Sequence, residues 1–130
     1  MVASRLSALF LLLLLVIVQP LPVGSAQVSS IPIVGIASWY GGGEKLNLTT
    51  ANGEVFDSAA LTCASWDFPF GTLLNVTNRA NGRSVQVRVN DRGPARRLNR
   101  LIDLSRGAFS EIADPDSGLA QVEVIPDPPR

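Results

Sequence analysis

The stretch TLLNVTNRANGRSVQVRVNDRGP, residues 72–94, constrains this fold more than any other part of the chain. Asn81-Gly82 sits in a short loop between two runs rich in β-branched residues, which is the sequence pattern of a hairpin. The return strand, 84–90, alternates cleanly. Val85, Val87 and Val89 face one way, and Gln86, Arg88 and Asn90 face the other. A hairpin with one apolar face must pack against more structure to be stable.

The flanking sequence supplies more β structure and little else. Residues 34–44 read as a strand entering a glycine turn, and 45–60 as a polar, turn-rich stretch. A Pro-Gly break at 68–71 leads into the first hairpin strand, and 91–101 reads as a loop. Residues 103–113 form the one convincing helix. Ser105 is its N-cap, and Leu104 and Phe109 occupy the two positions of a hydrophobic staple. Asp114–Gly118 closes the helix, 119–125 is a last strand, and Pro126, Pro128 and Pro129 end the fold. Short strands, one helix and Gly/Pro turns point to a small β-barrel, whose closure removes aggregation-prone edges.

The chain has 130 residues, enough for one domain. Residues 1–26 read as a targeting segment: Arg5, the apolar run 6–18, then small residues up to Ala26. The run is short for a membrane span, which leaves an uncleaved anchor as the other reading. Cleavage would expose Gln27, with no cysteine nearby for lipid attachment. The 11 basic and 11 acidic residues balance, so no basic footprint calls for nucleic acid. There is no histidine and one cysteine. That excludes Cys–His and Ser–His–Asp catalysis, a histidine-bearing zinc site and an intrachain disulfide.

Carboxylates are the remaining chemistry. Asp91 lies in phase with the three valines, so an unbroken strand aims it toward the core face, where desolvation favours the protonated form a general acid needs. The competing role is a cap on the turn DRGP, accepting loop amides. Glu54 and Asp57 follow an Asn-Gly turn. Either they form part of an acid/base centre, or Asp57 makes an Asx turn and Glu54 is a solvated charge. Trp39 and Tyr40 beside Gly41–Gly43 suit stacking on a sugar, or packing in the core with a polar tip satisfied. Arg88, Arg92, Arg96, Arg97, Arg100 and Arg106 could grip an anion, or form a solvated rim paired with Asp91 and Asp103. Cys63 reads as a small buried hydrophobe. Two Asn-x-Thr sequons, at Asn47 and Asn75, matter only in a eukaryotic host.

Taken together, GIASWYGGG, TANGEVFD, ALT, PFGTLLNVTNRANGRSVQVRVNDRGP and IDLSRGAFSEIA resemble, in order and spacing, the RlpA-like (rare lipoprotein A) family. The resemblance covers residues 34–125, leaving a short leader at 27–33 and a Pro-rich tail at 126–130. It implies a six-stranded double-psi β-barrel with one short helix. It also implies a monomeric, exported cell-envelope enzyme that needs no cofactor and cleaves peptide-stripped peptidoglycan strands as a lytic transglycosylase. By the family's motifs, Glu54, Asp57 and Asp91 would carry catalysis, while Trp39, Tyr40, Arg92 and Ser65 would line the glycan groove. Ser65 stands where the family often has a histidine, and serine does not titrate near neutral pH. The alternatives are therefore an expansin-like glycan-binding module without catalysis, or a scaffold contacting the division machinery.

Overall fold

The computed structural model describes residues 16–21, 24, 30–44 and 46–128. Most of the expected targeting segment lies outside the described residues. Among the described residues there are six strands: β1 (Ile33–Tyr40), β2 (Thr62–Ala64), β3 (Leu73–Asn78), β4 (Ser84–Asp91), β5 (Ile102–Ser105) and β6 (Ala120–Pro126). One helix, α1 (Arg106–Ile112), follows β5. The strands close into a barrel in the order β1-β5-β2-β4-β3-β6.

The hairpin forms as its pattern dictates. Strands β3 and β4 pair antiparallel, with Leu74 opposite Val87 and Val76 opposite Val85. All four side chains are buried. Two pairings are parallel, β1 with β5 and β2 with β4. The result is a double-psi β-barrel with, among the described residues, a single short α-helix, the architecture the family resemblance implies.

Two of the strands, β2 and β5, are absent from the pattern-based reading. Residues 103–105 were expected to open the helix, but they finish β5. Ile102 and Leu104 alternate into the core, and β5 pairs with both β1 and β2. The helix starts one residue after Ser105, whose hydroxyl accepts from the Ala108 amide at 3.1 Å. Leu104 and Phe109 flank that cap and are both fully buried. Strand and helix thus share one junction, and the junction is fixed by packing rather than helix propensity. At the other end of α1, the side-chain amides of Asn78 and Asn81 both donate to the Ile112 carbonyl at 2.9 Å.

A bulge in β4 corrects the phase assigned to Asp91. The register steps from Cys63 opposite Val89 to Ala64 opposite Asp91. One extra residue, Asn90, is absorbed between them. The valines stay in the core, but Asp91 turns to the outer face beside Ala64.

Candidate active site

The register places four residues in one row across the outside of the barrel. Ser38 on β1 pairs with Asp103 on β5, Asp103 pairs with Ala64 on β2, and Ala64 pairs with Asp91 on β4. Neighbouring strands are about 4.8 Å apart, so the backbones of the two acids lie about 10 Å apart across Ala64. Alanine at the centre keeps the floor low. Above it opens a groove of about 740 Å³, lined by Tyr40, Ala64, Asp91, Arg92 and Asp103 and walled by loop residues 46–51 and 92–95.

Asp103 is the acid with the most altered chemistry. Burial pushes its carboxyl up from 3.8 to about 6, against the lowering effects of the Ser38 hydrogen bond and of Arg100. The Ser38 hydroxyl donates to Oδ1 at 3.0 Å and fixes the carboxyl in place. A carboxyl that titrates near 6 can both give and take a proton at neutral pH. Pattern alone offers Asp103 only as a rim partner for arginines, because 103–105 reads as the first turn of a helix. The available signal was the alternation Ile102-Asp103-Leu104: a single acid facing away from the core between two buried aliphatics.

Asp91 stands across the floor. Its Oδ1 accepts the amides of Ala51 at 3.0 Å and of Arg92 at 2.9 Å, so the loop-capping role is present alongside its place in the groove. The Tyr40 hydroxyl donates to Oδ2 at 3.4 Å. Burial, then the charges of Asp91 and Asp103, push the Tyr40 phenol well above its ordinary value, so it remains a donor. Its ring stacks on Phe56 with centroids 4.8 Å apart. Arg92 lines the groove too, but its guanidinium is spent on the carbonyls of Ser65 at 2.8 Å and Phe68 at 3.0 Å. It holds the 65–70 loop and lies 3.8 Å over the Phe70 ring.

The other expected residues lie elsewhere. Glu54 makes a two-pronged ion pair with Arg88, at 2.5 and 2.9 Å, and accepts from Asn52 and Asn90. The Arg88 hydrogen bond, then those from Asn52 and Asn90, lower its carboxyl to about 2. Glu54 is therefore ionised near neutral pH, tied to the outer face of β4 rather than free to donate a proton. Asp57 is exposed and accepts the Ala59 amide at 2.9 Å, the geometry of an Asx turn. Neither lines the groove. Trp39, next to Tyr40 on β1, faces the opposite way. It packs near Phe109, and its indole N–H donates to the Pro115 carbonyl at 2.8 Å, the core role with a satisfied polar tip. Ser65 is buried and accepts the Asp67 amide at 3.1 Å. Among the described residues, no three His, Cys, Asp or Glu side chains are grouped as a metal site.

The comparisons with known proteins agree on one neighbourhood. Residues 33–124 match the model of the lytic transglycolase family. The chain is 52% identical over 90 residues to the endolytic peptidoglycan transglycosylase RlpA of Campylobacter jejuni, covering 69% of this chain and 32% of that protein. It is 53% identical over 88 residues to the probable endolytic peptidoglycan transglycosylase RlpA of a Synechocystis species, covering 68% and 27%. The chain thus spans about a third or less of these two curated relatives. Among solved structures, it resembles a Streptomyces papain inhibitor at a TM-score of 0.59 and 24% identity, over 75% of this chain and 96% of the other. It also resembles a Clavibacter michiganensis expansin at 0.60 and 21%, over 77% and 52%. At those identities the two structures speak for the fold alone.

Proposed function

The chain belongs to the lytic transglycolase family, and from that premise we propose that it cleaves peptidoglycan glycan strands by transglycosylation, with Asp103 as the proton-transfer group. The observation that carries the assignment is a carboxyl with a raised affinity for its proton, held by Ser38 on the floor of an open groove. The names of the relatives supply the substrate class.

Protonated Asp103 gives its proton to the glycosidic oxygen between N-acetylmuramic acid and N-acetylglucosamine. The C1–oxygen bond breaks, and the glucosamine leaves as a free 4-hydroxyl. The muramic acid 6-hydroxyl attacks C1 and yields its own proton to the Asp103 carboxylate. The product is a 1,6-anhydro ring, and Asp103 is restored to its starting state. No activated water takes part, because the nucleophile is already attached to the substrate. One carboxyl of intermediate acidity thus serves as both acid and base. Asp91 and Tyr40 form the facing wall, where Asp91 meets the positive charge that develops on the sugar.

The test is digestion of purified, peptide-free glycan strands. Anhydro-ended products are expected from the wild type, and Asp103→Asn should lower the rate about 10²–10⁴-fold. Equal yields from the two proteins would remove Asp103 from the role. Activity should also fall as pH rises above about 6, as the proton to be donated is lost.

One observation favours a second reading, a glycan-binding module without turnover. Ser65, buried and spent on a backbone amide, offers no proton shuttle. This reading predicts retention on insoluble peptidoglycan with no soluble product, and turnover by the native protein would exclude it. The finer parts of the proposal are export to the cell envelope, supported by the apolar run of residues 6–18, and action as a monomer, with or without contacts at the septum. Cell fractionation, with N-terminal sequencing of the mature chain, tests the export step. Recovery of the protein only from the cytoplasm would defeat it.

A further inference from the structure

The turn that leaves β1 has a feature that the proposed cleavage does not use. The groove lining includes Tyr40 and, beyond this turn, Leu46, so residues 41–44 adjoin the groove in the chain without lining it. Here two consecutive amides converge on one carboxylate. Gly41 N donates to Glu44 Oε1 at 2.6 Å, and Gly42 N donates to Oε2 at 2.7 Å. The backbone is shaped for this: Gly41 and Gly43 have φ of +95° and +107°, a region that side chains disfavour. A Cβ at Gly41 would come within 2.8 Å of the Phe56 ring, itself a groove residue. Successive backbone amides in such a turn make an anion-binding nest. Each amide takes a separate oxygen, so the pair matches a carboxylate rather than a hydroxyl.

Glu44 is exposed, and nothing but these short-range donors holds it there among the described contacts. The Gly41 amide is the main cause holding its carboxyl below the usual carboxylate range, so it is an anion at neutral pH. Its charge also reaches Asp103, which puts the nest within electrostatic range of the cleavage site. A peptide-free muramic acid carries a free lactyl carboxylate, whereas a stem peptide converts that group to an amide. A two-amide nest beside the groove can distinguish the two.

We propose that the Gly41–Gly42 amide pair, next to groove residues Tyr40 and Phe56, is a carboxylate subsite, that Glu44 fills it in the free protein, and that the lactyl carboxylate of a peptide-free muramic acid displaces Glu44 on binding. The inference rests on the glycan reading above and names what selects the strand. Glu44 is then a self-made competitor, and the apparent affinity falls by the fraction of molecules in which the nest is open.

The experiment follows the Gly41 and Gly42 amide resonances of ¹⁵N-labelled wild type and Glu44→Gln. The probes are the peptide-free disaccharide of N-acetylglucosamine and N-acetylmuramic acid, and its lactyl methyl ester. The acid should move both resonances saturably. Its apparent Kd should be about tenfold tighter for Glu44→Gln, the gain expected if the nest is roughly nine-tenths closed. The ester should bind at least about tenfold more weakly to either protein, since it lacks the anion. Equal binding of acid and ester, equal affinity in the two proteins, or unmoved glycine amides would each overturn the subsite. Loss of strand cleavage with these shifts intact would instead sink the transglycosylase reading alone.

Discussion

Asp103 and Glu54 show how much two acids on the same small surface can differ. Asp103 sits between buried neighbours with one hydroxyl donor, so its proton is held more tightly than in the unfolded chain. Glu54 has a guanidinium and two side-chain amides, so its proton is released far below the ordinary range. Their stability effects have opposite signs. For Asp103, the favourable term is fully present below pH 3.8 and is lost as pH rises through about 6. Above that range the fold carries a partly desolvated charge. Asp103→Asn is therefore expected to melt at a higher temperature than wild type at pH 7.5, with the gap closing as pH falls toward 4. Thermal melts across that range check it, and a variant less stable than wild type at pH 7.5 would contradict the assignment. A residue that costs stability where it sits is one kept for chemistry. Sequence pattern could not rank these acids. The family's motif put Glu54 and Asp57 forward against their turn chemistry, and only the strand register shows that Asp103 shares a floor with Asp91.

At the scale of elements, the β5–α1 junction governs the groove. Strand β5 carries Asp103, and α1 anchors the end of that strand through Ser105. The Ser105 hydroxyl accepts from Ala108 N and donates to the Ala60 carbonyl, so one buried atom ties helix, strand and the loop before β2 together. A seven-residue helix has no stability of its own and depends on such ties. Ser105→Ala should cost about 1–2 kcal/mol, the usual loss of an N-cap. Chemical denaturation measures this, and an unchanged midpoint would show that the cap is dispensable. The N-cap and the staple were legible in the sequence because capping is local. The strand preceding them was not, because β5 is only four residues long and owes its conformation to partners 39 to 65 residues away. The bulge at Asn90 was invisible for the same reason: it exists only relative to β2.

For the molecule as a whole, the hairpin and its alternating valines announced a β-barrel, while six-strand closure came from the family resemblance. The barrel gives a simple probe of its integrity. Cys63 is fully buried, and burial, then the charge of Asp103, pushes its thiol up to about 12. The native protein should resist a thiol reagent. Labelling should accelerate with denaturant in step with loss of the fold, because only opening of the barrel exposes the sulfur. Fast labelling in buffer would reveal a local breach at β2. Closure also has a temporal side. The strand that completes the cylinder, β6, lies between β1 and β3 and pairs with both. Until residues 120–126 have left the ribosome, both neighbours keep a bare hydrogen-bonding edge. The nascent polypeptide therefore stays open, and threadable through a narrow channel, until synthesis of this last strand is complete.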